Sequence, residues 1–426
     1  MRYSNGILLF WLVTLIGCTS LPSQQNTHAE VNSRTVDLTV DSIDIWERIR
    51  KGYAVPNLNS PLVEKWVAYY AARPEYIQQM ADRSGKYLYY IVNEVNRRDL
   101  PTELVLLPFV ESAFNPNALS TAQASGLWQF IPSTGTHFKL EQNWWRDQRR
   151  DPIASTNAAL DYLEYLFDYQ GDWFLAFASY NWGEGAVKRA MNQAIRSGKT
   201  QQFENLKLPQ ETENYIPKLQ AIKNIIANPE RYSIVLPKVN NQPYFVAIKK
   251  DQDIDLAVAA KLAQMPIEEF IALNPGFNQG VIMASLDTEI ILPIEKVPNY
   301  LANLAEYEGD LTSWKKYAAR KGESVQAIAQ KFKVSVDMLR QANDLNRSIR
   351  LLPTAKNMFI PGASATAMVS TVQVNRNLKT QGHQVRSGET LVSIAYRYQL
   401  SPQTLKDLNN LKNSKVNVGQ KILIPR

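Results

Sequence analysis

The sequence predicts a multidomain α+β protein: a mainly α-helical body over residues 42–230, followed by small βααβ modules. Three observations carry this. Between 43 and 226 the apolar side chains recur at helical spacing, and few stretches alternate with period two. Beyond 311 the chain repeats itself at an offset of 66 residues. A length of 426 residues also exceeds one ordinary domain.

The composition is globular, 45% apolar and 20% charged, and the scarcity of two residue types limits the chemistry. Three histidines (His28, His137, His383) and one cysteine (Cys18) allow no internal disulfide, and a Cys/His zinc site, which needs about four ligands, would have to use every one of them. A Ser-His-Asp triad in the first half would have to be built around His137. No phosphate-binding glycine loop or metal-ligand pattern stands out, so neither metal nor cofactor is expected.

Taken in order, the chain opens with Arg2 and the apolar run 7–16, a secretory signal too short for a comfortable membrane span. Leu15-Ile16-Gly17-Cys18 resembles a bacterial lipobox, which implies a lipoprotein signal peptide over 1–17 and lipidation of Cys18, with several acyl chains giving stable anchoring. The bland alternative is an uncleaved anchor with an incidental cysteine. Thr19 stands where enterobacterial lipoproteins retained at the inner membrane carry aspartate. An outer-membrane lipoprotein facing the periplasm of a Gram-negative bacterium is therefore expected. Residues 18–41 are polar and read as a flexible tether.

In the helical body, with its core about 85–230, Ser84 is a candidate N-cap for the run 87–92. Ser155-Thr156 are candidate caps for the stripe Ala158, Ala159, Leu160, Leu163, Leu166 and Phe167, which Gly171 closes. A further helix opens at Phe174 and is expected to break at Tyr180-Asn181-Trp182-Gly183.

In the second half, Lys321-Gly322-Glu323-Ser324 matches Ser387-Gly388-Glu389-Thr390, and the same offset pairs Phe332 with Tyr398, Leu339 with Leu405 and Asn343 with Asn409. Each copy ends in an apolar strand and proline, at Pro361 and Pro425. Each reads strand, helix, turn, helix, strand. These units, over 314–362 and 382–426 with a linker at 363–381, resemble LysM domains. The resemblance implies binding to N-acetylglucosamine-containing glycan. A degenerate third copy is expected over 243–295, with Asn274-Pro275 at its turn and no glycine in Lys250-Asp251-Gln252-Asp253.

The residues capable of chemistry lie between Glu111 and Tyr215. Glu111 is the one charge in the run 104–114, where partial desolvation would raise its pKa toward what a general acid needs. Taken alone, it reads first as a glutamate turned to solvent at a helix end, and the residues downstream reverse that order. Downstream stand Ser120, Ala124-Ser125-Gly126-Leu127-Trp128-Gln129, Ala178-Ser179-Tyr180-Asn181 and Glu211-Thr212-Glu213-Asn214-Tyr215-Ile216-Pro217-Lys218. This ordered set resembles the lysozyme-like catalytic domain of the family 1 lytic transglycosylases, marked by Glu-Ser, Gly-Leu-Met-Gln, Ala-Tyr-Asn and a final tyrosine.

The resemblance implies roles by position. Glu111 matches the catalytic acid/base. Ser120 would orient the sugar N-acetyl group or the glutamate, and Gln129 would hydrogen-bond substrate. Tyr180 and Asn181 would line the cleft, while the Tyr215 hydroxyl would contact the glutamate or the reacting sugar. Two departures concern subsite shape: Trp128 replaces methionine, to stack on sugar or fill core, and Trp182-Gly183-Glu184-Gly185 replaces Ala-Gly-Pro-Gly.

The activity implied is non-hydrolytic cleavage of the MurNAc-β-1,4-GlcNAc bond of peptidoglycan, leaving 1,6-anhydro ends. A hydrolytic muramidase is the alternative enzyme, with Glu184 its best second carboxylate, since glycosidases use two. A catalytically silent peptidoglycan-binding lipoprotein is the alternative outside catalysis. Trp144-Trp145 admit a sugar platform or packing, and Asp147, Asp151, Asp161 and Asp172 suit caps or solvated faces.

The net charge of +7 is unevenly placed: 311–426 carries 19 basic and 5 acidic side chains, 18–310 carries 27 and 35. Nucleic acid is not expected as a partner at a periplasmic address. The glycan strands, their anionic peptides and the membrane are.

Overall fold

The computed structural model describes residues 44–286, 288–362, 380–386, 389–398, 405, 409, 411, 413 and 415–425. Cys18, the expected signal and tether, and most of the 363–381 linker lie outside the described residues, as does Ser387-Gly388.

The helical body begins with α1 (Ile45–Lys51), capped by Asp44, whose carboxylate accepts from Trp46 N at 3.2 Å. Next come α2 (Pro61–Ala71), with Ser60 as N-cap and Pro61 in its first turn, and α3 (Pro74–Ser84). Ser84 ends α3 instead of starting a helix: its hydroxyl donates to Ala81 O, and α4 (Leu88–Arg97) begins four residues later. A 3-10 turn, Thr102–Leu106, runs into the short α5 (Leu107–Glu111), and α6 (Pro132–His137) follows a long loop.

The long α7 (Pro152–Gln170) starts before Ser155-Thr156. Its cap is Asp151, which accepts from both Ile153 N and Ala154 N at 2.9 Å, and proline fills the next position. Gly171 closes it at φ 71°. Asp172 caps α8 (Trp173–Trp182), which runs through Tyr180-Asn181 and ends at Gly183, within the expected break. Then come α9 (Glu184–Arg196) and α10 (Gln210–Ala227). Because α10 packs on α2, α5 and α8, residues far apart in sequence are brought together.

One core unites these helices. Leu104, Val105, Leu106 and Leu107 are fully buried, each worth about 1.5–3 kcal/mol of apolar transfer. Beneath it lies a buried ion pair: Lys223 Nζ is 2.8 Å from Glu103 Oε1, and Glu103 also accepts from Ala54 N and Val55 N.

Strands occur from 245 onward among the described residues, each in a two-stranded antiparallel sheet. The first module opens with β1 (Phe245–Lys249), which pairs with its last strand, and contains a small pairing of β2 (Ile254–Asp255) with β3 (Val281–Ile282). Its helices are α11 (Leu256–Leu262) and α12 (Ile267–Leu273), and β4 (Glu289–Pro293) completes the main sheet. An extra helix, α13 (Val297–Ala305), inserts Tyr300 into the module core. The second module is β5 (Lys315–Ala319), α14 (Val325–Phe332), α15 (Val336–Ala342) and β6 (Lys356–Ile360). In the third, α16 (Leu391–Arg397) lies between β7 (Thr380–Gln384) and β8 (Lys421–Pro425).

One asparagine repeats the same clamp in all three. Asn274, Asn343 and Asn409 each donate to the carbonyl four residues back and exchange two bonds with the closing strand, at Ile291, Phe359 and Leu423, all at 2.7–3.0 Å. Satisfying three backbone groups with one buried amide fixes the helix against the strand.

The first module is stitched to the body. Asn278 N donates to Trp145 O, Asn278 Nδ2 to Asn143 O, Gln279 Nε2 to Trp144 O and Asp147 N to Gly276 O, all at 2.7–2.8 Å. Phe245 packs on Tyr87 and Tyr90. Of the pair Trp144-Trp145, Trp145 serves packing: it is buried, 5.1 Å from the ring of Trp314 and 6.2 Å from Phe359 of the second module.

Candidate active site

The apolar run before Glu111 coils into the core, and the chain must then reverse at its one charge. Ser112 N and Phe114 N both donate to Pro108 O, and the Ser112 hydroxyl donates to Leu127 O at 2.9 Å. Ala113 and Phe114 take φ of 51° and 55°, a strained left-handed pair for residues with side chains. Burial of Phe114 edge-on against Phe109 at 4.7 Å holds the turn. Glu111 is thereby left half-buried at the mouth of this turn.

Tyr215 on α10 donates from its hydroxyl to Glu111 Oε1 at 2.5 Å. Burial pushes the Glu111 carboxyl up to about 7. The Tyr215 bond and the Lys218 charge act against that rise, and Glu211 adds to it. Tyr215 is itself pushed well above its ordinary value by burial and by Glu111. Lys218 is lowered by burial, and its ammonium sits 4.8 Å over the ring of Trp66, whose Nε1 donates to Asn214.

Tyr180 donates to Trp128 O at 2.8 Å, joining α8 to the loop after α5. Burial and then the Glu111 charge raise its hydroxyl pKa. Asn181 accepts from Thr212 Oγ1 at 2.8 Å, tying α8 to α10. Gln129 and Ser120 lie in the loop and serve its shape. Gln129, at φ 50°, spends its amide nitrogen on Gly126 O (2.8 Å) and Ala118 O (3.2 Å). The Ser120 hydroxyl accepts from Ala124 N at 3.0 Å. Trp128 fills core: it is fully buried and donates to Thr156 Oγ1 at 3.0 Å. Glu184 accepts from the Tyr162 hydroxyl at 3.1 Å, and the charges acting on Glu111 are instead those of Glu211 and Lys218. His137 is exposed against Phe138.

Sequence reasoning missed Arg149. This buried guanidinium donates to Gln123 O (2.7 Å) and Phe130 O (3.1 Å), clamping both arms of the loop, and pairs with Asp147. Its own carbonyl closes over Gly126, where φ is +87° and a Cβ would meet that oxygen at 1.9 Å. The last motif already contains Glu211 and Lys218, and only Tyr215 takes a role from it; the other two lie one helical turn either side of Tyr215 on α10 and are legible by spacing. Among the described residues there is no cluster of His, Cys, Asp and Glu able to hold a metal ion, and no helix long and apolar enough to cross a membrane.

The transglycosylase SLT domain family matches residues 89–203, the LysM domain family residues 317–353 and 383–425, and the LysM-like domain family of lytic transglycosylase MltD residues 244–309. The membrane-bound lytic murein transglycosylase D of Escherichia coli (strain K12) is 33% identical over 369 residues, 83% of this chain and 79% of that protein. The soluble lytic murein transglycosylase of Salmonella typhimurium (strain LT2) is 36% identical over 83 residues, covering 18% of this chain and 13% of its own length. The solved 70 kDa soluble lytic transglycosylase SLT70 of Escherichia coli covers 46% of this chain and 38% of its own, at 18% identity and a TM-score of 0.25. The identity to the first of these runs through helical body and modules alike, and so the chain belongs to the membrane-bound lytic murein transglycosylase D family.

Proposed function

We propose that this chain is a peptidoglycan lytic transglycosylase in which Glu111 is the sole acid/base. The observation that carries the reading is a carboxyl pushed up to about 7, chiefly by burial, and bonded by one tyrosine hydroxyl; Glu211 on α10 acts on it only through its charge. A group poised near 7 can give a proton and take one back at physiological pH.

Protonated Glu111 gives its proton to the glycosidic oxygen as the bond from muramyl C1 breaks. The substrate's N-acetyl oxygen supports C1 through that step. The glutamate then takes the proton of the C6 hydroxyl, whose oxygen closes on C1 of the same sugar. No water enters, and intramolecular attack leaves the protein mainly the task of holding the ring. Tyr215 steadies the carboxylate when it is charged. Tyr180, Asn181, Gln129 and Ser120 hold the loop and helices around it, with Gln129 offering its amide oxygen and Ser120 its hydroxyl to the sugar.

The modules at 314–362 and 382–426 bind glycan strands in this reading. Lipidation of Cys18 after removal of 1–17 anchors the chain, through the tether 18–41, to the periplasmic face of the outer membrane. The membrane-bound relative and the lipobox-like Leu15-Ile16-Gly17-Cys18 support that address. Digestion of purified murein tests the reaction: fragments one water lighter than reducing ends are expected, and reducing ends would assign a hydrolase. Glu111→Gln should bind murein and release nothing.

A further inference from the structure

A line of tyrosines leaves the cleft along α7. Tyr180, held against Trp128 O beside Glu111, has its ring 5.4 Å from that of Tyr162. Tyr162 lies 6.5 Å from Tyr165 with the rings within 17° of parallel, and Tyr165 lies 6.0 Å from Tyr169 within 20°. Residues 162, 165 and 169 share one helical face. The inner ring is fixed by Phe138 at 4.8 Å and by its bond to Glu184. The outer two are nearly half exposed, at 47% and 46%. Lys188 of α9 stands 5.9 Å from the Tyr169 ring.

Core packing does not explain two aromatic rings left in water, and a solitary solvated tyrosine would not continue a line that starts at the reacting carboxyl. A β-1,4-linked pyranose carries its C–H bonds on its two faces and its hydroxyls at the edge. It therefore packs on an aromatic face while the tyrosine hydroxyl can bond the edge. The Lys188 charge suits the carboxylates that stem peptides carry.

We propose that Tyr165 and Tyr169 form a distal glycan-binding strip, stacking on sugars of the same strand whose reacting bond lies at Glu111. This rests on the transglycosylase reading. It predicts that affinity grows with strand length until the strand covers the strip.

The test uses the full chain with Tyr165→Ala and Tyr169→Ala together, on uncross-linked glycan strands of increasing length, following release of anhydro ends. KM for long strands should rise about tenfold with kcat within about twofold, and the gain on lengthening should disappear. Tyr165→Phe with Tyr169→Phe should retain most of the gain. A length dependence equal to the wild type's overturns the strip. So does an equal loss at every length accompanied by a lower Tm, or a change in oligomeric state with KM intact. Calorimetry of the same strands in the Glu111→Gln background compares binding without turnover. A failed strip is thereby told apart from a reaction other than the one proposed.

Discussion

Replacing Glu111 by glutamine should make the chain more stable above neutral pH while removing its turnover. The carboxyl rises from 4.5 to about 7 because burial penalises its charge. The folded state therefore keeps a proton that the unfolded chain has already released. Stability of the wild type falls as pH climbs through that window and stays at the lower value above it. Each pKa unit is worth about 1.4 kcal/mol, so the full cost is roughly 3 kcal/mol; partial solvent access to Glu111 brings the expectation down to about 1–2 kcal/mol. Glutamine keeps an oxygen for the Tyr215 hydroxyl and carries no charge. Thermal unfolding of both proteins at pH 5 and pH 8 reads the difference. For a body of this size about 2–4 °C per kcal/mol is expected. The variant should gain several degrees over the wild type at pH 8 and much less at pH 5. An offset that is the same at both pH values would refute the desolvated-acid argument.

Tyr215→Phe removes a bond that favours the charged carboxylate. The descending limb of the pH–rate profile, expected near 7 in the wild type, should move upward, with kcat lower by about 10- to 100-fold. Lys223→Met strands the buried Glu103 carboxylate and should cost about 3–5 kcal/mol in denaturant unfolding. Gly126→Ala forces a Cβ against Arg149 O at a left-handed φ. It should add at least ~1–3 kcal/mol of strain, lower Tm, and reduce kcat through the loop that carries Gln129. Binding of murein by the basic 311–426 region should weaken as salt is raised, because exposed charges are screened within about 8 Å at physiological ionic strength; pull-down at rising NaCl checks it.

What the sequence made legible was local. The helical stripe and Gly171 announced α7, and the offset of 66 announced two βααβ modules, because periodicity and backbone freedom act over a few residues. Glu111 stood out as one charge in an apolar run. The caps were misassigned where two local candidates compete: Ser155 and Asp151 are both capable, and Pro152, which prefers the first turn, decides for Asp151. The remainder depended on distant partners. Whether Trp128 faces sugar or core turns on a hydroxyl 28 residues away at Thr156, and Arg149 is understood only through carbonyls 26 and 19 residues back. The bond that Glu111 accepts from Tyr215 spans 104 residues.

The junction between body and modules has a further consequence. Asp255 accepts from Thr312 Oγ1 and Ser313 N at 2.9 Å, so the strand leading to Trp314 is tied down before that indole meets Trp145. A loose joint would let the second module sample a cloud of positions, and the local concentration it confers would follow linker statistics. A stitched joint replaces the cloud with one offset. In the transglycosylase reading proposed above, a strand held by the second module would be presented to Glu111 at a set distance, and the joint would gauge where along the strand the cut falls.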